Sequence, residues 1–421
     1  MKPWTPGRPS ASPLGDHDVP LVGEHLQGRR IALLVCGGIA AMKTPLLARA
    51  FRRQGAEVTI YVSSEALKYV ALDALEWAAT QPVITHLSPR SEHLSKDHPY
   101  DAYVVAPATY NTINKFRRGI ADTPVTTTLA SALALLEKRE TQILVAPTMH
   151  GDLHNSILQE SLETLAKKGV WLIPPRDDYG KHNLPDHEVI VAHTCSLVSR
   201  SPLAGRRILV TAGCTPAPID NVRRITNRFR GRLGIEIARE LVLRGADVRL
   251  ILGAGAVPSP AYIPTQKIRD FNDYKNKVLS NLVEFHPQTG IFSAAVADYL
   301  PREKVPGKIP SGGALQNLSL IPAEKIIDLV LAQDPKIDMI SFKYQENMSH
   351  DELIRIATDR ISKGHGAVVA NRGEEVSADG QQVAHLVTSE LEVRKLVTKV
   401  GIARGLCDHL EERLRTATLR P

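Results

Sequence analysis

Two short apolar runs, residues 30–36 and 207–212, each end at a glycine and lead into a helical pattern. A strand, a glycine turn and an amphipathic helix in that order open a doubly wound α/β sheet. After the first run the sequence predicts a helix over 42–54, a strand over 56–62 and further strands over 101–106, 142–146 and 170–173, with helices between them. Such alternation argues for a parallel sheet covered on both faces. After the second run a helical pattern over 234–246 and strands over 248–253, 290–296 and 367–371 repeat the scheme. The expected fold class is therefore α/β: two doubly wound Rossmann-like domains, each a mainly parallel sheet covered by helices.

A chain of 421 residues has room for two such domains at about 100–200 residues each. Residues 193–206 have loop composition and place the boundary. The expected division is a flexible leader at 1–28, rich in Pro, Gly, Ser and charge, a first domain at 29–195, a linker at 196–205 and a second domain at 206–421. No internal repeat appears, since the halves share an architecture and not a copied motif. The net charge of +7 is spread along the chain and aromatic residues make up only 5%, so a solvated basic surface is expected and no nucleic acid partner. No apolar run approaches the roughly 18 residues of a membrane span, and no membrane partner is expected. Cys36, Cys195, Cys214 and Cys407 lack both metal-ligand and Cys-x-x-Cys spacing, which points to a reducing, cytoplasmic setting.

The stretch 92–128 holds most of the chemistry of the first half. The strand at 101–106 runs into Pro107-Ala-Thr-Tyr-Asn-Thr, which turns the chain into a helix whose first-turn amides and small hydroxyls suit a phosphate or a carboxylate. His93 lies eight residues before that strand, so a fold that joins loop and strand end sets an imidazole beside a bound ring. It is a candidate base.

These residues carry a resemblance. His93, Ala106-Pro-Ala-Thr, Asn111-Thr, Lys115, Gly119 and Asp122, with Gly37-Gly-Ile-Ala-Ala and Ser63-Ser-Glu-Ala upstream, resemble the flavin-dependent cysteine decarboxylases. Val210-Thr-Ala-Gly and Ala294-Ala-Val-Ala-Asp-Tyr resemble phosphopantothenate-cysteine ligase, and the order of the two halves resembles the fused coenzyme A biosynthesis family. For the first half the resemblance implies FMN, held at Gly38, Ile39, Ala40 and Ser63 and, around the ring, at Ala108, Thr109 and Thr126. It further implies His93 as catalytic base and Asn111, Met149 and His150 as substrate contacts. In such an enzyme flavin oxidises the thiol-bearing carbon, and the resulting thioaldehyde accepts the electrons left when carbon dioxide departs.

For the second half the resemblance implies an acyl-nucleotide made from 4′-phosphopantothenate and CTP with Mg2+, from which the amine of cysteine displaces CMP. Asn227 and Lys308 match the catalytic positions; Phe292, Ser293, Ala294, Asp298, Lys308, Phe342 and Lys363 match the nucleotide contacts. No metal ligand is assigned. The family also implies a homo-oligomer, with trimers through the flavin domain and dimers through the ligase domain.

The sequence departs from the family near both substrates. His150 stands where an asparagine usually follows Pro-x-Met, and the lid, Asp177-Asp-Tyr-Gly-Lys-His-Asn-Leu-Pro, is short and lacks the usual cysteine. Loss of that thiol implies release of an enethiol, its reduction by another route, or a flavin kept as scaffold. In the second half Phe229-Arg-Gly replaces Ser-Ser-Gly, Cys214 replaces a proline, Ala217 a glutamate, and Glu324-Lys-Ile a Pro-Asp-Ile stretch. A ring and a guanidinium in place of two hydroxyls leave open a paralogue that joins cysteine or a related amine to a different carboxylic acid. A flavin-binding regulatory module is the remaining alternative.

Overall fold

The computed structural model describes residues 7–94, 99–312, 318–377 and 380–418. Residues 1–6 of the expected leader and 95–98, just after His93, lie outside the described residues. Two compact units, Met1–Ser199 and Arg200–Pro421, make up the chain.

The first unit begins with β1 (Arg30–Val35), α1 (Thr44–Arg52), β2 (Glu57–Val62), α2 (Leu72–Ala79) and β3 (Ala102–Ala108). It continues through α3 (Tyr110–Arg118), α4 (Pro124–Glu137), β4 (Gln142–Pro147), β5 (Met149–His150), α5 (Ser156–Lys167) and β6 (Trp171–Leu172). A hairpin of β7 (Arg176–Asp178) and β8 (Lys181–Asn183) precedes α6 (His187–Val198). Five strands form a parallel sheet in the order β2-β1-β3-β4-β6. From β1 the chain winds first to β2 on one side and then to β3 on the other, so the carboxyl ends of β1 and β3 flank a switch point. Burial of every residue from Ile31 to Val35 and from Ala102 to Ala108 explains the continuous apolar runs.

Two expected boundaries need correction. Residues 17–28 are not a free leader: Val22 and Leu26 donate backbone N–H groups to Arg53 O and Gln54 O after α1, and Leu26 is fully buried. Val19 and Leu26 supply the apolar anchors that the surrounding Pro, Gly and Ser obscured. Residues 193–198, read as loop and linker, complete α6, where Thr194 and Cys195 are buried and Thr194 Oγ1 donates to Ile190 O at 2.8 Å. Back-bonding of that kind lets a threonine sit inside a helix.

The second unit runs β9 (Arg207–Ala212), β10 (Ala217–Pro218), β11 (Arg224–Ile225), α7 (Arg232–Leu243), β12 (Asp247–Leu252), β13 (Thr265–Lys267), α8 (Phe271–Glu284) and β14 (Thr289–Phe292). Then follow β15 (Tyr299–Pro301), β16 (Leu320–Pro322), α9 (Ile326–Gln333), β17 (Asp338–Gln345), α10 (His350–Ser362), β18 (Ala367–Arg372), β19 (Val383–Thr388), β20 (Val393–Val397) and α11 (Lys399–Thr418). Its eight-stranded sheet is ordered β13-β12-β9-β14-β17-β18-β19-β20, with the first six strands parallel and β19 alone reversed, antiparallel to both β18 and β20. The winding reverses between β9 and β14, which puts a second switch-point crevice there.

Near the amino ends of β17 and β18, His365 is buried, with Nδ1 2.8 Å from Ser341 Oγ. Burial, reinforced by the Arg360 guanidinium, lowers its pKa from 6.5 to about 4. The folded state thus refuses a proton that the unfolded chain accepts, so stability is full above pH 6.5 and falls as pH drops toward 4. The expected loss is roughly 2 kcal/mol, after allowance for residual solvent screening. Urea titrations of wild type and His365→Gln at pH 7 and pH 5 check this: the variant should lose distinctly less stability between the two.

Candidate functional site

A cleft of about 540 Å³ opens at the first switch point, lined on one side by Gly37, Ser63 and Ser64 and on the other by Thr109, Asn111, Thr112 and Thr126. Gly37 is a glycine by contact, since a Cβ there would lie 2.4 Å from Glu65 Cβ. Thr109 caps α3 through its hydroxyl to Thr112 N–H at 3.4 Å, leaving the helix start directed at the cleft. Thr123 and Thr126 form a capping box on α4, so the Thr126 hydroxyl accepts from Thr123 N–H at 3.0 Å and from Asp122 N–H at 3.1 Å. Lys115 also lines the cleft and donates to Asp122 at 2.5 Å, which holds that carboxyl below its usual range. Hydroxyls, a helix N-terminus and one cation fit a phosphate, and Val125, Met149 and Tyr69 fit a ring.

The cleft gathers Ser63, Thr109, Asn111, Thr126 and Met149 of the expected site residues. Gly38 stands beside it, its Cβ position 3.6 Å from Thr109 Cγ2, while Ile39 is largely exposed and Ala108 is buried in β3. Ala40 belongs to the 3-10 turn Ile39–Lys43 that precedes α1. Neither His93 nor His150 lines the cleft. His150 Nδ1 instead accepts from Asp152 N–H at 3.2 Å. His93 is presented by a turn that Glu92 fixes, its carboxylate held by Ser88 and its carbonyl accepting from Tyr61 Oη at 2.6 Å. His93 Nδ1 is buried with no hydrogen-bond partner among the described residues. An orphaned buried nitrogen costs stability, which keeps His93 a candidate base.

In the second unit the crevice between the carboxyl ends of β9 and β14 brings together several expected residues. Ser293 Oγ donates to Thr211 O at 2.6 Å, Ala294 N–H donates to Thr211 Oγ1 at 3.3 Å, and Phe292 is buried at the end of β14. Asn227 Nδ2 reaches across to Ala295 O at 2.9 Å. Asp298 is not free for a ligand as it stands, because Lys325 Nζ lies 2.5 Å away. Phe342 is partly buried in β17.

Lys308 is exposed, and the residue that positions it escaped the sequence reading. Asp220, its side chain fully buried, accepts from Val222, Arg223 and Ile309 N–H and from the Arg223 guanidinium. Those bonds, led by the one from Ile309, hold its carboxyl far below the usual range. With Asn221 N–H on Gly307 O at 2.9 Å, Asp220 and Asn221 grip the chain on both sides of Lys308. A buried aspartate beside an Arg is the only sequence signal for this, and it is a weak one.

Lys363 needs correction. It is the C-cap of α10, four residues before β18 begins, at the amino edge of the sheet, and so it does not join the crevice residues within this chain. Arg360, nearly one turn earlier, reaches inward instead: its guanidinium donates to Phe342 O at 3.0 Å and Ser341 Oγ at 3.2 Å. The expected Phe229 departure is also accommodated, for the Phe229 ring packs edge-on against Tyr344 at 5.4 Å and Arg228 pairs with Glu346 at 3.2 Å.

A phosphate-and-ring cleft on one doubly wound sheet and a basic switch-point crevice on a second define a two-site α/β protein of the flavoprotein kind. The model described as flavoprotein matches residues 21–199, and that described as DNA/pantothenate metabolism flavoprotein C-terminal domain matches 203–414. The chain is 35% identical over 396 residues to the coenzyme A biosynthesis bifunctional protein CoaBC of Thermococcus kodakarensis, covering 92% of this chain and 96% of the relative. To that of Methanocaldococcus jannaschii it is 28% identical over 392 residues, 93% of this chain and 94% of the relative. The crystal structure of the DNA/pantothenate metabolism flavoprotein from Streptococcus pneumoniae is 28% identical, with all of that chain matching 50% of this one at a TM-score of 0.45. The chain belongs to the family of bifunctional coenzyme A biosynthesis proteins.

One test of the cleft follows from Gly37. Gly37→Ala forces the β1 turn and the Glu65 backbone apart, so the protein is expected to purify colourless and to bind added flavin at least about tenfold more weakly. Flavin fluorescence titration, with circular dichroism as the check on folding, measures it.

Proposed function

We propose that the chain joins 4′-phosphopantothenate to cysteine in its second unit and decarboxylates the cysteinyl product in its first. The observation that carries this reading is the likeness to bifunctional relatives along 92% of the chain, which spans both units. Because a carboxylate and an amine do not condense in water, the acid is first activated by CTP with Mg2+, and cysteine then displaces CMP. Lys308 faces the phosphate charge that develops in the first step, and Asn227 holds the activated carbonyl for the second. The Phe292–Ala294 segment, tied to Thr211 at the crevice, forms the wall against which the nucleotide sits, and Arg360 takes the cationic place first expected of Lys363. Breaking the Lys325 pair frees Asp298 for the nucleotide.

In the first unit FMN, when bound, supplies the two-electron oxidation that makes loss of carbon dioxide possible. Ser63, Thr109 and the start of α3 hold its phosphate, Asn111 and Met149 contact substrate, and His93 moves the proton. Since His93 does not line the cleft of its own chain, it serves the cleft of a neighbouring copy in a trimer. Exposed Ile39, Met42 and Leu46 support that assembly as apolar surface that a neighbouring copy would cover. Incubation of the purified chain with phosphopantothenate, cysteine, CTP and Mg2+ should yield CMP, pyrophosphate and carbon dioxide. CMP formed only with a different acid would favour the paralogue reading that Phe229 and Arg230 leave open.

A further inference from the structure

Three potential metal ligands converge at the carboxyl-end side of the second sheet, away from the crevice residues. His350 opens α10, Glu375 follows β18, and His385 lies in β19. One ligand atom from each falls within 4.8 Å of the other two. His385 Nε2 is 2.9 Å from Glu375 Oε1, and the His350 and His385 rings meet edge-on with centroids 4.5 Å apart. The His385 side chain is only 7% exposed, and Glu375 Oε2 is buried without a hydrogen-bond partner among the described residues.

We propose that His350, Glu375 and His385 bind one divalent transition-metal cation, with Zn2+ as the ion their chemistry matches. Two imidazoles and one carboxylate suit zinc, and three protein ligands leave the fourth tetrahedral position to water. Around zinc, ligand atoms stand about 3.3 Å apart, and the three here already lie within 4.8 Å of one another. His385 Nε2 faces the Glu375 carboxylate and is the ring nitrogen placed to meet the cation. Metal binding takes the neutral tautomer whose proton is on Nδ1, which leaves the Nε2 lone pair for the cation. Arg372 stands beyond Glu375, its Nε 3.5 Å from Oε2 and its Nη1 donating to Met348 O at 2.8 Å, and so orients the carboxylate from behind.

The ligands come from three separate segments, and the cation draws them together. Gly373 N–H donates to Gln345 O at 3.0 Å and Glu374 accepts from Asn347 N–H, which stitches the loop before Glu375 to the end of β17. Tyr344 and Glu346 at that end meet Arg228, next to Asn227. The bound ion therefore steadies one wall of the ligase crevice without touching the reacting groups.

The test uses the full chain, stripped with a chelator and titrated calorimetrically with zinc chloride. One Zn2+ per chain is expected, with a rise in unfolding temperature on binding, and Co2+ in its place should give the visible absorption of a tetrahedral site. His350→Ala, at an accessible helix start, and Glu375→Gln should each weaken zinc binding at least about a hundredfold. Absence of binding at 100-fold excess over the protein, or binding unchanged in both variants, overturns the assignment. Circular dichroism of the metal-free variants confirms folding, and failure of ligase activity alone would not bear on zinc binding by the wild type.

Discussion

Replacing Lys308 by alanine is expected to abolish amide formation, with ligase turnover falling by about 10²–10³ or more, the cost of removing one preorganised charge stabiliser. The block should fall before the acyl-nucleotide, so pyrophosphate release stops as well. Asn227→Ala is expected to stop the reaction later, with acyl-nucleotide accumulating and pyrophosphate still released. Asp220→Asn separates placing the lysine from supplying it. An amide nitrogen cannot accept, so one carboxylate oxygen's pair of bonds, either Ile309 and Arg223 side chain or Val222 and Arg223 backbone, is lost. The Lys308 loop then drifts, and kcat should fall about 10²-fold with KM for CTP nearly unchanged. Rapid-quench analysis by mass spectrometry reads all three, and normal pyrophosphate release by Lys308→Ala would remove the lysine from the first step.

The sheets were legible because parallel strands buried on both faces are written as unbroken apolar runs: 31–35, 102–106 and 208–212 leave no alternative period. Strand β17 was not legible, since Lys343, Tyr344 and Gln345 at its exposed end dilute the apolar Met339-Ile-Ser-Phe start. Strand β20 was lost for a related reason, lying at the sheet edge where polar residues such as Lys395 are tolerated, and the buried β19 was lost because His385 interrupts its short apolar run. Local motifs carried the site residues that backbone geometry fixes, namely Ser63, Thr109 and Thr126. Long-range pairings did not show: Asp220 grips a loop 89 residues away, and Lys363 and Arg360 cannot be told apart without knowing where α10 ends against β17. Residues three apart share a helix face, and what separates these two is that Arg360 lies inside the last turn of α10 while Lys363 is its C-cap.

His93→Ala is expected to leave flavin binding intact and to lower carbon dioxide release by about 10²–10⁴, the range for removal of a positioned base. Flavin should stay because the hydroxyls and helix start of the cleft hold it, and His93 adds to them only the base. Structure should stay because the Ser88–Glu92–Tyr61 bonds hold the turn through Glu92, while His93 Nδ1 has no hydrogen bond to lose among the described residues. Mass spectrometry of a single anaerobic turnover with phosphopantothenoylcysteine measures the loss, and wild-type carbon dioxide release by the variant would assign the proton transfer elsewhere. In wild-type protein the same experiment reads the lid. The β7–β8 hairpin has no thiol, and all four cysteines of the chain are buried, with burial pushing the Cys36 thiol up to about 11. With no exposed thiol to return a proton, the first turnover should show loss of carbon dioxide and two hydrogens, the mark of an enethiol. Loss of carbon dioxide alone would require another acid, and the hairpin offers one in His182, held by Asp177 at 2.5 Å and joined to His154 at 2.8 Å. His182→Ala would then restore the two-hydrogen loss, because it removes the imidazole that links Asp177 to His154 and with it the proton path.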